Sequence, residues 1–171
     1  MTRPQEAREP RPKETPVTRP QEARESGAQE TPVSPVPPAQ ETPATRIRVT
    51  ADPDWYESAG ISLGIRVGGL VFTSGQAPID AYGVTVGVGD FEAQARQALA
   101  NLATVLAHGG SGLDRLVKLT VFVTDMAHQD VFAELRAEHY AAPFPAESFV
   151  QVAALADPEW LIEIEAIGAV G

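Results

Sequence analysis

The residues in this sequence best placed to do chemistry are carboxylates at strand positions. Glu147 sits in Pro143-Phe144-Pro145-Ala146-Glu147-Ser148-Phe149, and Glu163 and Glu165 alternate with isoleucines in Ile162-Glu163-Ile164-Glu165. Two prolines fix φ near roughly −65° and bias Ala142 and Phe144 towards extended backbone, so the chain cannot helix here and delivers Glu147 at a strand entrance. From that point the period is two. Ser148, Val150 and Val152 face one way; Glu147, Phe149 and Gln151 face the other. A carboxylate set among prolines and phenylalanines is open to desolvation, which raises its proton affinity and suits it to acid–base work. Glu163 and Glu165 must meet solvent, pair with a base such as Lys118 or Arg115, or enter a pocket at an interface.

Other catalytic templates do not occur. There is no Walker-type glycine loop, no GxGxxG after a strand, no His-Glu-x-x-His and no Gly-x-Ser-x-Gly elbow. His108, His128 and His139 fall at the ends or faces of helical segments and read as surface or capping residues, because a metal site needs several converging ligands. Cysteine is absent, which removes thiolate catalysis, disulfides and zinc–thiolate sites. We therefore expect no metal and no cofactor.

The elements that must position these carboxylates are legible from periodicity. Ile47 and Val49 alternate with Arg46, Arg48 and Thr50 in a short strand, and Trp55 and Tyr56, after the Pro53 turn, read as packing residues. Ile65-Arg66-Val67 and Leu70 to Ser74 flank Gly68-Gly69, a hairpin pattern. Tyr82 to Gly89 is a loop or an edge strand. Asp90 is placed to cap a helix with an apolar face at Phe91, Ala95, Ala98, Leu99, Leu102, Val105 and Leu106, closed by Gly109-Gly110. Leu116 to Val123 is a buried strand; Asp125 caps a second helix carrying Val131, Phe132, Leu135 and Tyr140; the Glu147 strand and a last strand, Leu161 to Val170, follow. This order predicts an α+β domain, a mixed sheet with both helices on one face. A single helical layer leaves the other apolar sheet face uncovered, so that face is expected to meet another subunit.

Composition divides the 171 residues in two. Residues 1–45 hold 10 of the 15 prolines and no Leu, Ile, Phe, Tyr or Trp, too little apolar surface to offset ordering, and we read them as a disordered arm. The arm repeats itself: Thr2 to Glu9 recurs as Thr18 to Glu25. It serves as a solvated tether or as a docking arm for a partner. Residues 46–171 carry 7 basic against 16 acidic residues, a balance that repels nucleic acid. No apolar run is long enough to span a bilayer and no signal peptide is evident, so no membrane association and a cytoplasmic location are expected.

Five segments together resemble the RidA/YjgF family, the endoribonuclease L-PSP-like proteins: Gly69 to Gln76, Gln94 to Leu102, Val117 to Met126, Phe144 to Ser148 and Ile162 to Ile167. The resemblance spans about residues 46 to 171. It implies a chorismate-mutase-like subunit, a homotrimer around a sheet barrel and clefts between subunits where reactive enamines and imines are hydrolysed. It also implies that Glu163 positions the attacking water and that Ser74 and Gly75 line the cleft. The family's carboxylate-binding arginine is replaced by Glu147; its pocket tyrosine falls at Ile61, its helix asparagine at Ala133, and its small residue after the arginine at Phe149.

Three expectations follow. In the first, Glu147 and Glu163 act as an acid–base pair, one of them raised in pKa by desolvation and mutual repulsion, in the hydrolysis, tautomerisation or ring closure of a neutral or cationic imine, enamine or related intermediate, with Ile61, Ala133, Phe144 and Phe149 lining the pocket. The second is a non-catalytic trimer that holds a metabolite or a partner. The third is deamination of 2-iminobutanoate-type substrates, which the charge at Glu147 opposes.

Overall fold

The computed structural model describes residues 45–171. The expected arm at 1–45 lies outside the described residues, Thr45 excepted. Six strands form one sheet: β1 (Arg46–Val49), β2 (Gly64–Val67), β3 (Leu70–Thr73), β4 (Leu116–Val123), β5 (Ala146–Gln151) and β6 (Ile162–Ala169), in the order β1-β2-β3-β6-β4-β5. Two helices, α1 (Phe91–His108) and α2 (Gln129–His139), complete it.

The β2–β3 hairpin turns on Gly68, whose φ of 56° lies in the left-handed region that glycine enters without strain. Asp90 caps α1 by accepting the Ala93 amide at 3.1 Å. Asp125 accepts the Ala127 amide and caps a single short turn at Met126–His128; α2 itself starts at Gln129, three residues further on than the position expected from Asp125 alone. The segment from Tyr82 to Gly89 is a loop, closed by one isolated bridge between Ile79 and Thr85. Every neighbouring strand pair is antiparallel except β4–β5. That parallel pair is joined through α2, as a parallel connection requires.

Burial follows the strand period. Leu119, Val121 and Val123 of β4 and Ile162, Ile164 and Ala166 of β6 are buried against Ala98, Leu99, Leu102, Val105 and Leu106 of α1 and Phe132 and Leu135 of α2. The opposite face carries Phe72, Ile167, Phe122 and Val150 beside Lys118, Thr120 and Glu165. In a single chain Phe72 is 39% and Val150 41% exposed, so nothing among the described residues covers this face. No helix among the described residues is long and apolar enough to cross a membrane.

Two buried amides anchor the loops to α1. Gln94 donates through Nε2 to the carbonyls of Glu159 at 2.8 Å and Gly87 at 3.2 Å, and its Oε1 accepts the Leu161 amide at 2.8 Å. Asn101 donates to the carbonyls of Ala77 at 3.0 Å and Ile79 at 2.8 Å. These bonds fix the start of β6 and the chain leaving β3. Replacing Gln94 by Ala strands three partly buried backbone groups, and urea unfolding is expected to show a loss of about 1–3 kcal/mol. A loss under about 0.5 kcal/mol would mean that the loops hold without the amide.

Candidate active site

After β3 the chain crosses β6. The Gln76 amide donates to the Ile164 carbonyl at 2.8 Å and the Ile164 amide returns to the Gln76 carbonyl at 3.1 Å, which sets Gly75 beside Glu163. The approach is so close that a Cβ at Gly75 would fall on the Glu163 carboxylate. Tyr56 locks the same backbone: its hydroxyl donates to the Gly75 carbonyl at 2.9 Å and accepts the Ala77 amide at 3.1 Å. Ser74 Oγ donates to the Ser62 carbonyl at 2.7 Å, so its proton is committed within the protein. Around this backbone lies a cavity of about 280 Å³, lined by Tyr56, Ala59, Ile61, Ser74, Gly75, Ala156, Trp160 and Glu163.

Glu163 is half-buried. Burial pushes its pKa above the ordinary carboxylate value, and the charge of Glu165, two residues along on the same face, pushes it further. Burial likewise raises Tyr56, which stays a protonated hydroxyl.

A second cavity, of about 390 Å³, opens between α2 and the start of β5. Its walls are Ala133, Arg136, Ala137, Tyr140, Phe144, Pro145 and Glu147. Arg136 Nη1 donates to Glu147 Oε1 in an ion pair. Glu147 Oε2 and the Tyr140 hydroxyl are both buried without a partner. Burial raises the Tyr140 pKa, and the Glu147 charge adds to the rise.

The predicted site residues thus divide. Ile61, Ser74, Gly75 and Glu163 line the first cavity; Ala133, Phe144 and Glu147 line the second. Phe149 lines neither and packs on Phe132, with ring centroids 5.6 Å apart. Within one chain Glu147 and Glu163 do not form a pair. Glu147 lies opposite Leu119 on the helix-covered face, whereas Glu163 lies opposite Phe122 on the uncovered one. The repulsion expected from Glu147 is supplied to Glu163 by Glu165 instead. Of the histidines, His108 bonds the Thr50 carbonyl and His128 stacks on Phe91 at 4.0 Å.

Four polar or aromatic residues of these cavities, Tyr56, Arg136, Tyr140 and Trp160, were not foreseen. Tyr56 had been read as packing, and Trp160, Arg136 and Tyr140 carried no motif. One signal was present for two of them: Ala133, Arg136 and Tyr140 are spaced by three and four along α2 and its C-cap, the spacing of a single helix face.

Two outcomes follow from the Glu163–Gly75 contact. A carboxyl with a raised native pKa stabilises the fold least when ionised, so Glu163→Gln is expected to melt above the wild type at pH 7.5, the gap closing as pH falls through the raised pKa towards the ordinary value near about 4.3. A lower melting temperature at pH 7.5 would contradict the assigned burial. Gly75→Ala forces the flexible carboxylate aside and is expected to change stability by less than about 1 kcal/mol. Its effect should appear in whatever function Glu163 serves.

The sequence model for "Endoribonuclease L-PSP" matches residues 56–170, more than half of the chain. A 2-iminobutanoate/2-iminopropanoate deaminase of Salmonella typhimurium is 41% identical over 110 residues, covering 61% of this chain and 82% of that protein. The RutC family protein PH0854 of Pyrococcus horikoshii is 37% identical over 106 residues, 62% of this chain and 83% of its own. Among solved structures, YyfA of Yersinia pestis, a Rid-family protein, superposes with a TM-score of 0.69 at 32% identity over 74% of this chain and 100% of that one. With the sequence motifs, the sheet and both helices in agreement, the chain belongs to the endoribonuclease L-PSP family, also called the Rid or YjgF family.

Proposed function

We propose that the protein hydrolyses a small reactive imine or enamine, with Glu163 as the acid–base group, in a cleft built where neighbouring copies of a trimer meet. The observation that carries this reading is the half-buried Glu163 carboxylate, raised in proton affinity and held against the Gly75 backbone at the wall of a cavity. A carboxyl whose proton affinity is raised in this way is better matched to both giving and taking a proton than an ordinary surface carboxylate. In its acid form it protonates the enamine carbon to give the imine. In its base form it takes a proton from water as the oxygen adds to the C=N carbon and passes that proton to nitrogen, giving a carbinolamine; it then carries the hydroxyl proton to the same nitrogen, so that the C–N bond breaks, ammonia leaves and a carbonyl remains. The name of the Salmonella relative, an iminobutanoate and iminopropanoate deaminase, supports the reaction class.

The trimer is supported by the apolar sheet face that one subunit leaves exposed and by the position of the two cavities on opposite faces of the sheet. In such an assembly the Glu163 cavity of one chain and the Arg136–Glu147 cavity of the next become two walls of one cleft. Sedimentation equilibrium is expected to give three times the chain mass, and Thr120→Glu, which adds a charge at the centre of the uncovered face, to reduce it.

The decisive assay generates 2-aminoacrylate from serine, and imines from amino acids and from amines, and follows their decay with added protein. Wild type should accelerate decay of at least one of them, and Glu163→Gln and Gly75→Ala should each lose about tenfold or more of that acceleration. Equal decay with and without protein on every substrate would overturn hydrolysis and leave a binding protein; full activity in Glu163→Gln would remove Glu163 from the mechanism.

A further inference from the structure

We propose that Arg136, carried on α2, is the residue that reads an anionic group of the ligand, and that Glu147 is a positioning residue that holds its guanidinium at the cavity wall. The proposal rests on the reading that this cavity is one wall of the ligand cleft. It replaces the expectation of a neutral or cationic substrate, which assumed that the Glu147 charge faces the ligand.

The ion pair is asymmetric in the direction that matters. The Arg136 side chain is 44% exposed and that of Glu147 only 16%. Glu147 spends Oε1 on Arg136 and turns Oε2 inward, where it is buried near the Tyr140 hydroxyl, itself buried and uncommitted. The anion of the pair is thus drawn into the protein and the cation left at the surface of the space. Arg136 uses only Nη1 on Glu147; among the described residues Nε and Nη2 have no protein acceptor. Those two N–H groups form the parallel edge that matches both oxygens of a carboxylate. Four further wall residues, Ala133, Ala137, Phe144 and Pro145, carry no side-chain acceptor, and an apolar surround strengthens a charge-assisted bond. A volume of about 390 Å³ suits a small molecule. The ligand class is therefore a small carboxylate or a similarly planar oxyanion.

Because Glu147 already neutralises the guanidinium, recognition depends on the orientation of the free edge more than on net charge. Removing the Glu147 charge while keeping its hydrogen bond should leave the edge in place. Removing the whole side chain should release it.

The test titrates the full chain with 2-oxobutanoate and with its neutral twin 2-oxobutanamide, read by calorimetry or ligand NMR. The acid should bind at least about tenfold more tightly than the amide, the scale of one charged hydrogen bond, and Arg136→Gln should abolish that preference. Arg136→Lys should keep part of it, which covers the case in which the Gln variant fails to fold. Glu147→Gln should bind the acid as well as or better than wild type, whereas Glu147→Ala should bind it more weakly. Equal binding of acid and amide to wild type, an unchanged dissociation constant in Arg136→Gln, or tighter binding of the acid by Glu147→Ala would each overturn the proposal. The two readings fail separately: Arg136-dependent binding without any turnover sinks the hydrolase and leaves this inference standing, while turnover with KM unchanged in Arg136→Gln does the reverse.

Discussion

The period of two in β6 is the constraint on which the rest of the structure depends. Ile162, Ile164 and Ala166 are driven beneath α1 and α2 by the area they bury, and that burial forces Glu163 and Glu165 onto the other face. A one-residue slip would bury two carboxylates and expose two isoleucines, so the register is strongly specified. The bridge from Gln76 to Ile164 then fixes where along β6 the end of β3 crosses, and hence which carboxylate meets Gly75. Core packing thereby places a carboxylate that contributes nothing to the core.

That placement works against stability. Glu163 is held partly out of water with Glu165 beside it, and no ion pair compensates it among the described residues. Its immediate contact is Gly75, whose missing side chain leaves the room the carboxylate occupies. A hydrophobic pattern that fixes the strand, a glycine that admits the carboxylate and a tyrosine that ties down the backbone act on one small volume. The proposed role of Glu163 gives this unfavourable placement a reason that packing does not.

The fold was legible in the sequence because every element announces itself by periodicity: α1 by its apolar spacing, β4 and β6 by alternation, the β2–β3 hairpin by Gly68-Gly69. The phase within each strand was legible too, Glu147 with Phe149 and Glu163 with Glu165. The relative phase of two strands was not. Glu147 on β5 and Glu163 on β6 are related only through β4, which is parallel to one and antiparallel to the other, and only that pairing shows them on opposite faces. Tyr56 packs against the core as its size suggests, but its hydroxyl also bonds the Gly75 carbonyl 19 residues away, which no local pattern encodes. Phe149 has the expected direction but reaches inward to Phe132, since a strand's period gives the side and not the depth.

The same limit explains Glu147. Taken alone, a carboxylate at the position where the resemblance expects an arginine reads as an inverted charge. In the fold it cannot be taken alone, because a carboxylate only 16% exposed and unpaired would cost several kcal/mol, of order 3–5 when a buried partner is lost. Arg136 lies one helix away and supplies the partner, so the identities at 136 and 147 form a single electrostatic unit shared by α2 and β5. The outward part of that unit, the part an incoming group would meet, is the guanidinium. A substitution that inverts the charge of one residue therefore need not invert the charge of the surface; it can move the cation from the strand to the helix and change its angle of approach to the ligand while leaving its sign intact.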